Sequence, residues 1–262
     1  MTSELLAMTS NMRRRVALVT GGSRGLGRAE VLALAARGID CLFTYSARRD
    51  EAEKVAAEAR APGVEVHALQ LDQGNVPTLD GFVDRVKATL AGMGVERIDY
   101  LVNNAGISNH TAYAEVTEEE LDRLYAINFK GVFFLTQKLL PLINDGGRII
   151  NTSSGLVRFV FPDLIAYASS KASLETFTRY LAHELGPRGI TVNTIAPGAM
   201  GTDFNGGMIR DNAGYRERIA GVTALGRPGV PDDIGPMVAS LLDDSNRWIN
   251  AQRIEVSGGM KL

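Results

Sequence analysis

Tyr167 and Lys171 stand four residues apart. The stretch around them, residues 166–185, has a helical pattern, so both side chains project from one face. A free tyrosine titrates at about 10 and is a poor acid–base group at neutral pH, but a neighbouring ammonium favours its phenolate. Lowering it by about 3 units takes about 4 kcal/mol of differential stabilisation, within reach of a partly desolvated ion pair. Proton transfer near neutrality is the chemistry such a pair can do. The spacing does not decide it alone, because most Tyr/Lys neighbours on helices are structural and the chain has seven tyrosines. Ser153 and Ser154 follow the apolar Ile149-Ile150 run, the second lying thirteen residues before Tyr167. A hydroxyl at the carboxyl end of a strand can orient a carbonyl oxygen, and open α/β folds hold ligands at that edge.

A second group is the glycine-rich turn Thr20-Gly21-Gly22-Ser23-Arg24-Gly25-Leu26-Gly27, which joins an apolar run to a helical pattern. Glycines there let the main chain approach a pyrophosphate, whose charge a helix amino terminus favours. The spacing is not GxGxxG, so its position between strand and helix carries the argument. At the end of the second strand a carboxylate would bond the ribose 2′-hydroxyl of NAD and repel a 2′-phosphate. Tyr45 stands there instead. Ser46, Arg48 and Arg49 follow, and Arg24 in the turn can reach the same place, so the expected cofactor is NADP(H) rather than NAD(H). Against this, Arg48 and Arg49 can equally solvate a helix start.

The elements that must position these residues are short apolar runs at 16–19, 41–44, 64–69, 100–102, 148–150, 190–192 and 253–256, separated by helical patterns such as 27–37 and 79–90. Most are too apolar for strands with one wet face, which predicts about seven parallel strands buried by crossover helices: a Rossmann-type, doubly wound α/β sheet. No repeat or linker divides it. The expected organisation is a tail over residues 1–14 and a single domain over 15–262. An irregular, glycine-rich stretch at about 198–229 is read as a substrate lid.

Composition narrows the function further. A net charge of −2 gives no footprint for nucleic acid or anionic membrane. No apolar stretch approaches the roughly 18–20 residues of a transmembrane helix. The single cysteine, Cys41, permits a reducing compartment, and a cytoplasmic protein acting on small molecules is expected. His67, His110 and His183 are dispersed without ligand spacing, so no metal is expected.

Taken in order, TGxxxGxG at residues 20–27, Asn103-Asn104-Ala105-Gly106, Tyr167-Ala168-Ser169-Ser170-Lys171, Pro197-Gly198-Ala199-Met200-Gly201-Thr202 and Ser257-Gly258-Gly259 resemble the short-chain dehydrogenase/reductase family, over residues 16–259. The resemblance implies hydride exchange between a nicotinamide and a carbonyl/alcohol pair. Ser154, by family spacing, would orient the carbonyl oxygen, Tyr167 would pass the proton, and Lys171 would bind ribose hydroxyls. Asn128 would hold a water near the lysine. Gly21, Ser23, Arg24, Gly25, Leu26 and Gly27 would cradle the phosphates, with Tyr45, Ser46 and Arg48 near the 2′-phosphate. Asp72 would meet the adenine, Asn103, Ala105 and Gly106 the ribose, and Pro197, Gly198 and Thr202 the nicotinamide end, with Thr202 at the carboxamide. The resemblance also implies a homotetramer.

Phe159, Phe161, Phe204 and Met208 suggest an apolar pocket for a free ketone or alcohol, or else belong to the core. Gly226-Arg227-Pro228 and Pro231-Asp232-Asp233-Ile234 are similar to 3-oxoacyl-carrier-protein reductases, the alternative activity. Docking an acidic carrier needs basic groups, yet the expected helix end at 143–146 reads Ile-Asn-Asp-Gly, leaving Arg188 nearby. From another class, a dinucleotide-binding regulatory protein without turnover is the rival, since fold does not fix function. Epimerisation or dehydration on a retained cofactor is a third reading. The segment Trp248-Ile249-Asn250-Ala251-Gln252 departs from the family's usual ITGQ.

Overall fold

The computed structural model describes residues 14–262. The expected tail therefore lies outside the described residues, apart from Arg14. That residue is anchored: its guanidinium pairs with Asp40 and donates to the Met93 carbonyl at 2.9 Å.

The strands are β1 (Val16–Val19), β2 (Asp40–Tyr45), β3 (Val66–Gln70), β4 (Ile98–Asn103), β5 (Ile143–Thr152), β6 (Thr191–Pro197) and β7 (Arg253–Val256). Among the described residues they form one seven-stranded sheet in the order β3-β2-β1-β4-β5-β6-β7, parallel throughout. The long helices are α1 (Gly25–Ala35), α2 (Arg49–Ala59), α3 (Leu79–Gly92), α4 (Glu118–Tyr125), α5 (Gly131–Leu139) and α6 (Ile165–Leu185). Three more follow β6: α7 (Met208–Asp211), α8 (Ala213–Ala220) and α9 (Gly235–Leu241).

The near-continuous apolar strands are explained by two cores. Ala17 and Val19 join Phe43, Tyr100 and Val102 under α1, α2 and α9, while Val16 and Leu18 join Leu42, Leu101 and Ile149 under α3, α5 and α6. Successive residues of one strand thus enter opposite layers, and both faces must be apolar. Each large side chain so buried stabilises the fold by about 1.5–3 kcal/mol before ordering costs.

Residues 143–146 begin β5 rather than end a helix. Pro141 withholds a backbone donor, α5 stops at Leu139, and a single tight turn, Leu140–Leu142, leads into the strand. Ile143 then pairs with Ile98, with an irregular register before Tyr100 meets Arg148.

The strand order reverses between β1 and β4, which opens a crevice at the carboxyl ends of those strands. Over it lies the excursion after β6. Its base is closed by bonds from Gly229 N to the Ala199 carbonyl and from Gly201 N to the Gly229 carbonyl, both 2.9 Å. The stretch expected as a lid is therefore a loop pinned at its two ends, carrying α7 and α8 between them.

Candidate active site

The glycine turn is tied down on both flanks. Thr20 Oγ1 accepts from Asn104 N at 3.0 Å and Ala105 N at 2.9 Å, and Asn104 Nδ2 donates to the Thr20 carbonyl at 2.9 Å. On the other side Gly21 N donates to Thr44 Oγ1 at 3.0 Å and Gly22 N to the Thr44 carbonyl at 2.9 Å. Gly21 has φ +70°, and a Cβ on Gly27 would lie 2.3 Å from the Gly21 carbonyl oxygen. The turn can be this tight only with glycine at these positions. Beyond it, the amino terminus of α1 has no side-chain cap and no acidic residue in its first turn. Its uncommitted N–H groups and positive dipole end suit a diphosphate, so the donor set fits a dinucleotide.

At the other side of the crevice α6 carries Tyr167 and Lys171, both buried. Lys171 Nζ donates to the Thr152 carbonyl at 2.8 Å and sits 6.0 Å from the Tyr167 ring centroid. Burial pushes the Tyr167 phenol up to about 12, against the opposing effect of its hydrogen bond with the Ser154 hydroxyl. Burial also pushes Lys171 down to about 8. The expected lowering of the tyrosine is therefore not what the protein groups produce, because desolvation outweighs the effect of Ser154. Tyr167 stands protonated at neutral pH, the state needed to donate a proton.

Of the two serines, Ser154 accepts from Leu156 N at 3.2 Å and lowers the Tyr167 pKa, while Ser153 turns to Glu175 Oε1 at 2.8 Å. Asn128 lies in a π-helical segment, Ala126–Lys130, and its side chain bonds neighbouring protein groups: Nδ2 donates to the Ile107 carbonyl at 2.9 Å and Ser170 Oγ at 3.0 Å, and Oδ1 accepts from Ile107 N at 2.9 Å. It staples the loop after β4 to α6. Gly106 is squeezed between these groups, since a Cβ there would meet Asn128 Oδ1 at 3.0 Å and Lys171 Nζ at 3.1 Å.

A cavity of about 460 Å³ joins the two sides. It is lined by Gly21, Ser23, Arg24, Gly25, Leu26, Tyr45, Ser46, Asp72, Ala105 and Gly106, by Ser154, Tyr167 and Lys171, and by Pro197, Gly198 and Thr202. Three expected cofactor residues stand outside the lining. Gly27 serves the packing of the turn. Asn103 points its amide into the core, donating to Thr136 Oγ1 at 3.0 Å and Asn151 Oδ1 at 2.9 Å. Arg48 pairs with Glu51 at 2.8 Å, and Arg49 with Glu53 at 2.7 Å, so both solvate the start of α2. Asn104, quoted in the motif but assigned no role, is a lining residue whose amide ties the glycine turn to the loop after β4. Its neighbour Asn103 carries the same side chain, so residue type could not separate them.

The remaining wall is apolar and aromatic: Leu156, Phe159, Phe161, Phe204, Tyr215 and Ile219 among others. His110 and Asn205 meet at 3.3 Å between the loop after β4 and the lid. Of the expected pocket residues Phe159, Phe161 and Phe204 line the cavity, and Met208 does not. Arg188, expected near a carrier-protein surface, is committed to Asp145 Oδ1 at 2.8 Å and to the Leu140 and Ile143 carbonyls. No helix among the described residues is long and apolar enough to cross a membrane.

This fold and site define a dinucleotide-dependent oxidoreductase of keto and CH–OH groups. A family model described as enoyl-(acyl carrier protein) reductase matches residues 21–261. A 3-oxoacyl-acyl-carrier-protein reductase of Staphylococcus epidermidis is 37% identical over 246 residues, 93% of this chain and 98% of that one. Versicolorin reductase of Emericella nidulans is 35% identical over 259 residues, 94% of this chain and 95% of that one. A landomycin C-6 ketoreductase solved with bound NADP and rabelomycin is 35% identical with a TM-score of 0.85, covering 94% and 96% of the two chains. The chain belongs to the short-chain dehydrogenase/reductase family.

Proposed function

We propose that the protein is an NADP(H)-dependent carbonyl reductase acting on an apolar, aromatic ketone. The observation that carries this reading is the continuous cavity, with the glycine turn, Arg24 and Ser46 at one end, aromatic side chains at the other and Ser154, Tyr167 and Lys171 between them. A bound NADPH supplies the hydride. Ser154 and Tyr167 hydrogen-bond the carbonyl oxygen, Tyr167 gives it a proton, and Lys171 holds ribose hydroxyls and restores the proton. Arg24 makes no ion pair among the described residues and faces the cavity without a carboxylate at the end of β2 to repel a phosphate. That favours NADPH, as does the NADP held by the landomycin reductase.

Aromatic walls favour a flat substrate, and one solved relative is a C-6 ketoreductase holding rabelomycin. The carrier-protein alternative loses its basic contact, because Arg188 is occupied. The face formed by Phe129 of the π-helical segment, Phe133 on α5, and Phe177 and the largely exposed Tyr180 on α6 is the surface that a second copy would cover in the expected tetramer.

The test is NADPH and NADH consumption against polycyclic aromatic ketones, small aliphatic ketones and an acetoacetyl thioester. Turnover of the aromatic ketones with NADPH is the expected result. Turnover confined to the thioester returns the carrier-protein reading, and cofactor binding without any turnover favours the regulatory one.

A further inference from the structure

Ser154 and Tyr167 must reach the same carbonyl oxygen, yet one follows β5 and the other rides on α6. Behind them lies a polar bridge that joins these two elements to β7. Arg253 Nε donates to Glu175 Oε1 at 2.7 Å, and an η nitrogen of the same guanidinium donates to the Ser154 carbonyl at 3.3 Å. Glu175 stands one turn beyond Lys171 on α6 and accepts from the Ser153 hydroxyl at that same oxygen, 2.8 Å away. The Ser153 hydroxyl is also 3.3 Å from the Lys171 carbonyl. The far edge of Arg253 is held by Glu255 at 3.0 Å, and Glu255 is fixed in turn by Arg158 at 2.5 Å and by Ser257 at 2.7 Å.

The bridge is sheltered. The side chains of Glu175 and Arg253 are 11% and 24% exposed, so its charge-assisted bonds are less screened than those of a surface pair. Neither residue lines the cavity. Its contacts are with the backbone and neighbour of Ser154 and with the helix turn of Lys171.

We propose that Arg253 and Glu175 are positioning residues that set the distance between Ser154 and the helix carrying Tyr167. This rests on Ser154 and Tyr167 acting together as described above. Reaching one oxygen with two hydroxyls demands placement to a fraction of an ångström, and small displacements cost rate rather than binding. A guanidinium spanning Glu175 and the Ser154 carbonyl fixes that placement, because its donors are planar and rigidly spaced.

Arg253→Met in the full chain is expected to lower kcat about tenfold, with KM and NADPH affinity within about twofold. The Ser154 bond lowers the Tyr167 pKa, so loosening it is expected to move the apparent pKa of alcohol oxidation up by about half a unit. Arg253→Lys, which keeps the charge but not the two-sided reach, is expected to recover part of kcat. Unchanged kcat and pH profile with only a lower melting temperature overturns the proposal. Glu175→Gln, which keeps an acceptor for Ser153, gives the same reading if Arg253→Met does not fold. Crystal structures of wild type and variant read the geometry without turnover: a changed distance between the Ser154 and Tyr167 hydroxyls supports the proposal even if no tested ketone is a substrate, and an unchanged distance overturns it.

Discussion

The dinucleotide end of the cavity and its substrate end are held in different ways. At the first, Gly21 and Gly22 hang from Thr44 and Thr20 is gripped by Asn104 and Ala105, all at or just beyond the carboxyl ends of β1, β2 and β4. At the second, Phe204 and Asn205 belong to a loop closed at its base and crossing open space, with Asn205, Gly206 and Gly207 successively at positive φ. A diphosphate is recognised by backbone groups that must not move, whereas a ketone is enclosed by side chains that must part to admit it.

Tyr167 lies between the ends, and its removal should affect neither. Tyr167→Phe is expected to cut turnover about 10³-fold while leaving NADPH affinity within twofold, measured by fluorescence titration. A comparable loss of affinity would place the phenol in the cofactor site instead. Gly27→Ala attacks the rigid end: with its Cβ 2.3 Å from the Gly21 oxygen, NADPH affinity is expected to fall about 100-fold, because the turn has no space to yield. If affinity survives, the turn is softer than its bonds imply.

Arg24→Ala separates phosphate recognition from the rest of that end. It is expected to weaken NADPH about 30-fold and NADH less than threefold, and equal losses would remove the 2′-phosphate assignment. Phe204→Ala probes the adaptable end. The Phe204 ring lies 6.1 Å from that of Tyr167, and the variant is expected to raise KM for an aromatic ketone about tenfold without changing NADPH affinity. A matching cofactor defect would show that the two ends are coupled.

The smallest effect concerns the rigid end's own helix. Glu30 on α1 is fully buried, its carboxyl oxygens have no hydrogen-bond partner among the described residues, and burial pushes it up to about 8. Between its unfolded value of 4.5 and about 8 the folded protein holds the extra proton, so stability falls as pH rises through that window. Glu30→Leu should flatten this dependence and add about 1–3 kcal/mol at pH 8, read by denaturant unfolding.

The sequence by itself determined the parallel sheet, the glycine turn and the Tyr167/Lys171 pair, because each follows from local periodicity or from spacing within one element. Helix α6, for instance, begins within a residue of its expected start. The tertiary structure decided what depends on partners distant along the chain. Asn103 and Asn104 are adjacent and chemically alike, yet one bonds Asn151 in the core and the other Thr20 in the turn. Arg24 faces the cavity while Arg48, also a candidate by type, pairs with Glu51 at the start of α2. Arg188 is consumed by carbonyls more than forty residues away, and Arg253 reaches Ser154 across ninety-nine. A side chain's type states which bonds it can make, but the packing of the sheet and its helices decides which partner is within 3 Å, and that choice separates a cofactor ligand from a structural strut.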